Sequence, residues 1–174
     1  EHHLSHYWEM TLLKEGRPAV FHGAKVSVAA TLVSQLFDRV RQLSQTDVRA
    51  LVARAPFPGH EREIEEIHEG FGDGADQILK IQAPFLALTA TEYEQIQQRI
   101  IERWADIQEI AATVLPAPTV VELLDTVGAP TSVRALGLEP RMVETALRYG
   151  HYVRNRFTVL KLFRFLGLDP APQV

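Results

Sequence analysis

Residues 23–43, GAKVSVAATLVSQLFDRVRQL, decide the fold class of this chain. Apolar residues recur at a spacing of three to four in this stretch, which is the period of an amphipathic α-helix. These stripe positions are Val26, Ala29, Ala30, Val33, Leu36, Phe37, Val40 and Leu43. The small side chains in the first turns would let another backbone or a ligand approach closely. The stretch therefore predicts a long core helix that begins near Gly23.

The same helical period extends over nearly the whole chain, and no convincing strand-like alternation occurs. Further helices are predicted over about 2–13, 47–52, 60–68, 89–114, 119–124, from 140, and over 157–166. Gly16-Arg17-Pro18, residues 56–59 and Pro116 break the pattern, and the glycines at 70, 72 and 74 read as a turn. We expect one all-α domain over residues 1–174, a bundle of seven to nine helices.

Three helix starts carry specific signals. Thr89 with Glu92 forms a capping box, and Thr119 with Glu122 repeats it. Asp47 is the expected cap of the short third helix. The helix that follows Thr89 should be the longest in the chain.

The composition excludes several classes of function. The net charge is −4, so no basic footprint points to nucleic acid. The chain has no cysteine, which excludes disulfides and thiolate chemistry and fits a reducing compartment. No run of about 18 apolar residues predicts a membrane span, and no signal peptide is visible. We expect a cytoplasmic protein.

Histidines near the start of the chain have the pattern of a binding site. His2 and His6 are four residues apart and therefore share one face of a helix. His22 stands at the predicted start of the next helix, where free N–H groups favour anions. Neutral imidazole is a common ligand of Zn, Fe and Ni. A bare His-x-x-x-His pair is weak evidence, but the following His22-Gly23 strengthens it.

These motifs resemble a known family. Residues 1–10, EHHLSHYWEM, and residues 21–26, FHGAKV, are similar to the metal-site region of the iron-containing alcohol dehydrogenase and dehydroquinate synthase-like superfamily. Within it the resemblance is strongest to the sn-glycerol-1-phosphate dehydrogenases. Residues 154–160, RNRFTVL, also resemble that family's Arg-Asp-Arg-Phe-Thr-x-Leu run, with Asn155 in place of the aspartate.

The resemblance implies half of an active site. Members of the family have an N-terminal domain that binds NAD(P) and a helical C-terminal domain that supplies most metal ligands. His2 and His22 match ligands of a divalent metal (Zn, Ni or Fe), and His6 matches a histidine that contacts substrate. The third ligand, an aspartate, and the cofactor loop would precede this chain, so we expect the fragment alone to be inactive.

The implied reaction is reduction of dihydroxyacetone phosphate to sn-glycerol 1-phosphate. Its partners would be the phosphorylated triose substrate and the chain's own N-terminal nucleotide-binding domain, and a homo-oligomer is an open option. Lys25 and Arg17 are candidates to bind the phosphate, although a plain surface charge is the commoner role for such residues.

Two other functions stay open from the sequence alone. One is a glycerol or other polyol dehydrogenase, or a dehydroquinate synthase-like enzyme, of the same superfamily. The other is a non-catalytic helical interaction domain that happens to carry histidines. The remaining features have ordinary structural readings: a solvated acidic face over residues 61–69, solvated His60 and His68, a packed His151, core tryptophans at 8 and 104, and ion-paired arginines at 154 and 156.

Overall fold

The computed structural model of the protein describes residues 1–171, and these contain no strand. The predicted all-α class is confirmed. Three 3-10 turns join some of the α-helices, at residues 72–74, 133–136 and 150–152. The ten helices are α1 (His2–Lys14), α2 (His22–Gln42), α3 (Gln45–Val52), α4 (His60–Phe71), α5 (Ala75–Leu86), α6 (Ala90–Glu102), α7 (Trp104–Ala112), α8 (Ala117–Thr126), α9 (Arg141–Tyr149) and α10 (Val159–Leu166).

Helix α2 is the centre of the bundle. It has 21 residues and packs against α1, α7, α8 and α10. Its buried side chains include Val28, Ala29, Leu36 and Val40. Because neighbours surround it, the buried surface of α2 is wider than the predicted stripe and also includes Lys25. The early turns of α2 are thereby fixed against α1.

The helix predicted over 89–114 is two helices. Glu102 ends α6 and Trp104 begins α7, with Arg103 between them at φ −100° and ψ 20°. Trp104 is buried, and its Nε1 donates to the carbonyl of Leu43 at 3.0 Å. Burying the indole with its N–H satisfied favours the break. This split, together with α5, which the sequence analysis did not predict, brings the number of α-helices among the described residues to ten.

The capping predictions have mixed outcomes. The capping box of Thr89 and Glu92 is confirmed. The N-cap of α3 is Ser44, and Asp47 is instead the third helical residue, which returns the bond in a capping box. The predicted box at Thr119 is wrong, because α8 already begins at Ala117. The Ala117 N–H is satisfied by Asp38 of α2, at 3.0 Å.

The glycine run after α4 forms the predicted turn. Gly72 has φ +52° and opens a 3-10 turn to Gly74. Gly70 has a packing role, since a Cβ there would lie 2.6 Å from Cγ of Tyr149. The glycine therefore allows α4 to approach the end of α9.

One stretch has the length and hydropathy of a membrane span. Residues Trp104–Thr126 have a mean hydropathy of 1.3 over the relevant window. The stretch consists of α7 and α8, which the turn at residues 113–116 separates. Each helix has ten residues or fewer, against the roughly 20 that a bilayer requires.

Several large apolar side chains remain exposed on the described surface. Phe21 and Val127 are the most exposed of them, at 89% and 75%. The others include Leu13, Ile110, Leu123 and Phe157. Such surface is compatible with contacts to another domain or another copy, and self-association stays a prediction.

The acidic face predicted over residues 61–69 is wrong for two of its members. Glu63 and Glu66 are buried. Arg164 of α10 binds both, with its Nη2 at 2.8 Å from Oε1 of Glu63 and 3.1 Å from Oε2 of Glu66. The Tyr152 hydroxyl donates to both carboxylates. A buried carboxylate needs such partners, and here they join α4 to α10.

Lys161 is buried beside this network. Its ammonium lies 3.3 Å from the ring centroid of Phe85 and has no hydrogen-bond partner among the described residues. Burial lowers the pKa of Lys161 from 10.5 to about 7, and the nearby Arg164 adds to the effect against the opposing pull of Glu63.

Lys161 should therefore make stability depend on pH. The folded state releases the Lys161 proton near pH 7 and the unfolded state near 10.5, so between these values the unfolded state binds more protons and stability rises with pH. The Lys161→Met variant should lack this rise. The variant's free energy of unfolding should exceed that of the wild type by on the order of 2–4 kcal/mol at pH 7, and the difference should shrink toward pH 10.

Urea denaturation at neutral and alkaline pH measures the effect. Lys80→Met, at an exposed position of α5, is the matched control and should behave as the wild type. Parallel pH profiles for the wild type and Lys161→Met would contradict the assignment.

Candidate metal and substrate site

Three histidines converge at one end of the α1–α2 pair. The ring centroids of His2 and His22 are 5.2 Å apart, those of His6 and His22 are 5.8 Å apart, and those of His2 and His6 are 6.2 Å apart. His2 and His22 are exposed, and His6 is about one third exposed. The three imidazoles that the sequence singled out thus form one accessible cluster.

The local sequence explains the convergence. The four-residue spacing places His2 and His6 on one face of α1, while Leu4 and Trp8 of the same helix are fully buried. Gly16, at φ +64°, lies in the turn that ends α1. The chain then returns, and α2 begins at His22 beside the face that carries the other two histidines.

Each imidazole of the cluster has a polar neighbour at Nδ1. Glu1 Oε1 lies 3.1 Å from Nδ1 of His2, and Ser5 Oγ lies 3.3 Å from Nδ1 of His22. Glu9 Oε2 lies 3.3 Å from Nδ1 of His6. Histidines that bind metal characteristically use one nitrogen for the metal and the other for such a partner. This arrangement reserves the three Nε2 atoms for a ligand.

The spacing of His2 and His22 fits two ligands of one metal ion. Two imidazoles bound through nitrogens at about 2.0–2.1 Å to a tetrahedral ion have centroids roughly 5 Å apart. Within residues 1–171, however, no group of three or more His, Asp or Glu side chains is arranged to hold a metal ion. The described residues therefore fit part of a coordination shell and need a further ligand to complete it.

Lys25 is buried, which corrects the prediction that it is a surface charge. It is only 1% exposed, and its Nζ lies 3.5 Å from Oε2 of Glu9. The buried face of α2 begins with this lysine. The prediction for Arg17 holds: it is partly exposed and contacts Glu15 and the carbonyl of Gly137.

The remaining histidines lie outside the cluster. His3 contacts the carbonyl of Gly150 at 3.2 Å, and burial lowers its pKa to about 4. His151 is buried, as expected of a packed histidine, and burial lowers its pKa well below the usual range. His60 and His68 are exposed, as predicted.

The C-terminal arginines are not ion-paired as predicted. Arg154 and Arg156 are exposed, and neither forms an ion pair with a carboxylate of the described residues. Their charge contributes to the lowered pKa of His3. They therefore lie near the N-terminal end of α1.

The described residues thus present three histidines from two adjacent helices of an all-α domain. The chain is 30% identical over 162 residues to the glycerol-1-phosphate dehydrogenase [NAD(P)+] of Geobacillus stearothermophilus. That match covers 92% of this chain and 31% of the relative. The homologous enzyme of Bacillus licheniformis is 26% identical over 98% of the chain.

A shorter match covers 27% of this chain and 11% of another relative. Over 47 residues the chain is 49% identical to the glycerol-1-phosphate dehydrogenase [NAD(P)+] of Bacillus subtilis. The chain spans about 30% of the length of the first of these relatives. No family model matches the chain, and no solved structure matches it significantly. The sequence identities to these relatives confirm the resemblance to glycerol-1-phosphate dehydrogenases.

The histidine cluster should bind a metal ion weakly on its own. Two imidazole ligands leave a tetrahedral ion half coordinated, so Zn²⁺ should bind this chain weakly or below one equivalent. His2→Ala and His22→Ala should each abolish that binding in isothermal titration calorimetry. His60→Ala, at an exposed histidine outside the cluster, is the control and should change nothing. Tight stoichiometric binding that survives both cluster variants would place the site elsewhere.

Proposed function

We propose that this chain is the C-terminal helical domain of an NAD(P)-dependent glycerol-1-phosphate dehydrogenase, which interconverts dihydroxyacetone phosphate and sn-glycerol 1-phosphate. The observation that carries the proposal is the convergence of His2, His6 and His22 in a chain that is similar in sequence to enzymes of that name. The nucleotide-binding domain would lie in the part of the relatives that this chain does not span. A cytoplasmic location stays a prediction.

His2 and His22 are the proposed metal ligands. Their ring spacing fits a shared ion, and Glu1 and Ser5 hold the opposite ring nitrogens. The family's aspartate, outside this chain, would complete the protein ligands. A bound divalent ion (Zn, Ni or Fe) would supply Lewis-acid stabilisation of the substrate oxygen as hydride moves to or from the cofactor.

His6 is the proposed substrate histidine. Its ring lies within 6.2 Å of both other rings, centroid to centroid, yet its Nδ1 neighbour is Glu9 of its own helix. With this carboxylate beside Nδ1, Nε2 can orient the substrate hydroxyl or carbonyl and pass a proton at that atom. This division gives two imidazoles to the metal and one to the substrate.

The start of α2 offers room and polarity for an anionic substrate. Nothing lies within 4 Å of the position that a Cβ on Gly23 would take. Phe21 caps α2 without a side-chain hydrogen bond, so the first N–H groups of the helix receive no capping side chain. Free N–H groups at a helix start favour anions such as phosphate. Lys25 and Arg17, engaged with Glu9 and with Glu15, are poorer phosphate ligands than expected.

The two histidine roles separate by mutation in the intact enzyme. His2→Ala should remove both bound metal and turnover, because it deletes a ligand. His6→Ala should keep the metal and lower kcat by about 100-fold or more, the range for loss of a proton-transfer group. Elemental analysis beside steady-state kinetics measures both. Retained metal and normal turnover in His2→Ala would overturn the assignment.

A further inference from the structure

The two helices that carry the histidines are joined one turn further along by an ion pair. Glu9 follows His6 by three residues on α1, and Lys25 follows His22 by three residues on α2. Residues three apart are neighbours on a helix surface. The pair therefore lies directly beside the cluster, and one carboxylate oxygen, Oε2 of Glu9, is close to both His6 Nδ1 and Lys25 Nζ.

Because Lys25 is buried, its ammonium depends on the ion pair with Glu9. An ammonium that is only 1% exposed strongly destabilises the folded state if it has no partner. Glu9 itself is 39% exposed and would be free to rotate as an ordinary surface carboxylate. The buried ammonium attracts this carboxylate, and the same Oε2 lies 3.3 Å from Nδ1 of His6.

We propose that Glu9 and Lys25 are positioning residues for His6. The Glu9 carboxylate, fixed by Lys25, keeps the proton of a neutral His6 on Nδ1 and leaves Nε2 as an acceptor directed to the substrate. A carboxylate accepts hydrogen bonds and cannot donate them, so it selects this tautomer. The significance for catalysis rests on the proposed function, whereas the tautomer itself does not.

The tautomer can be measured directly by NMR. In the ¹⁵N-labelled chain at about pH 8, where imidazoles are ordinarily neutral, two-bond ¹H–¹⁵N correlations report which ring nitrogen carries the proton. The wild type should show His6 protonated on Nδ1. Glu9→Ala should shift it to Nε2–H or to a mixture.

The double variant Glu9→Ala/Lys25→Met guards against loss of the fold. Glu9→Ala alone leaves a buried ammonium unpaired, whereas the double variant removes both charges and keeps an apolar stem of similar length. It should restore the thermal stability of the wild type but not the Nδ1–H tautomer. Glu15→Ala, at a partly exposed carboxylate that pairs with Arg17, is the control and should leave His6 unchanged.

Kinetics in the intact enzyme provide the second readout. The double variant should lower kcat by about 10–100-fold, the usual effect of removing a supporting residue, while metal content stays at the wild-type level. An unchanged His6 tautomer in both Glu9 variants would overturn the proposal. A wild-type enzyme without this dehydrogenase activity would instead overturn the proposed function and leave the tautomer result standing.

Discussion

The packing of α1 against α2 is the contact on which the rest of the candidate site depends. Leu4 and Trp8 of α1 and Val28 and Ala29 of α2 are buried at or near zero exposure. Fully burying a leucine or valine side chain contributes about 1.5–3 kcal/mol. This apolar seam fixes the register of the two helices, and the register brings the histidines within 5.2–6.2 Å of one another, centroid to centroid.

Contacts with the rest of the bundle stabilise the α1–α2 pair. Trp8 donates to the carbonyl of Met142 in α9 at 2.8 Å, and Ser27 of α2 donates to Pro130 at 2.7 Å. Farther away, Arg164 with Glu63 and Glu66 ties α10 to α4. Buried ion pairs thus stabilise the scaffold. The accessible imidazoles at one end of the bundle remain available to bind ligands.

The sequence predicted correctly the features that depend on residues close together in the chain. The period of α2 predicted the helical class, and the four-residue spacing of His2 and His6, with the resemblance around His22, predicted the cluster. The sequence patterns failed to predict burial where a charged residue pairs with a residue on another helix. Glu63 reads as solvated until Arg164, about a hundred residues later, packs against it. Lys25 reads as a surface charge because its partner Glu9 belongs to another helix.

Helix ends show the same limit. Thr89 was predicted correctly because its capping partner is three residues away, whereas α8 is capped at Ala117 by Asp38 of α2, which no local pattern reveals. The break before Trp104 follows from its contact with Leu43. Local rules therefore predict the elements, and tertiary contacts decide where some of them begin and end.

The most direct test of the account is to locate the metal ion by anomalous diffraction from crystals of the Zn²⁺-loaded intact enzyme. The α1–α2 register predicts one ion bound by the imidazoles of His2 and His22, with His6 outside the coordination shell and facing the substrate. An ion bound away from these two rings, or one that takes His6 as a ligand in place of either, would contradict the account.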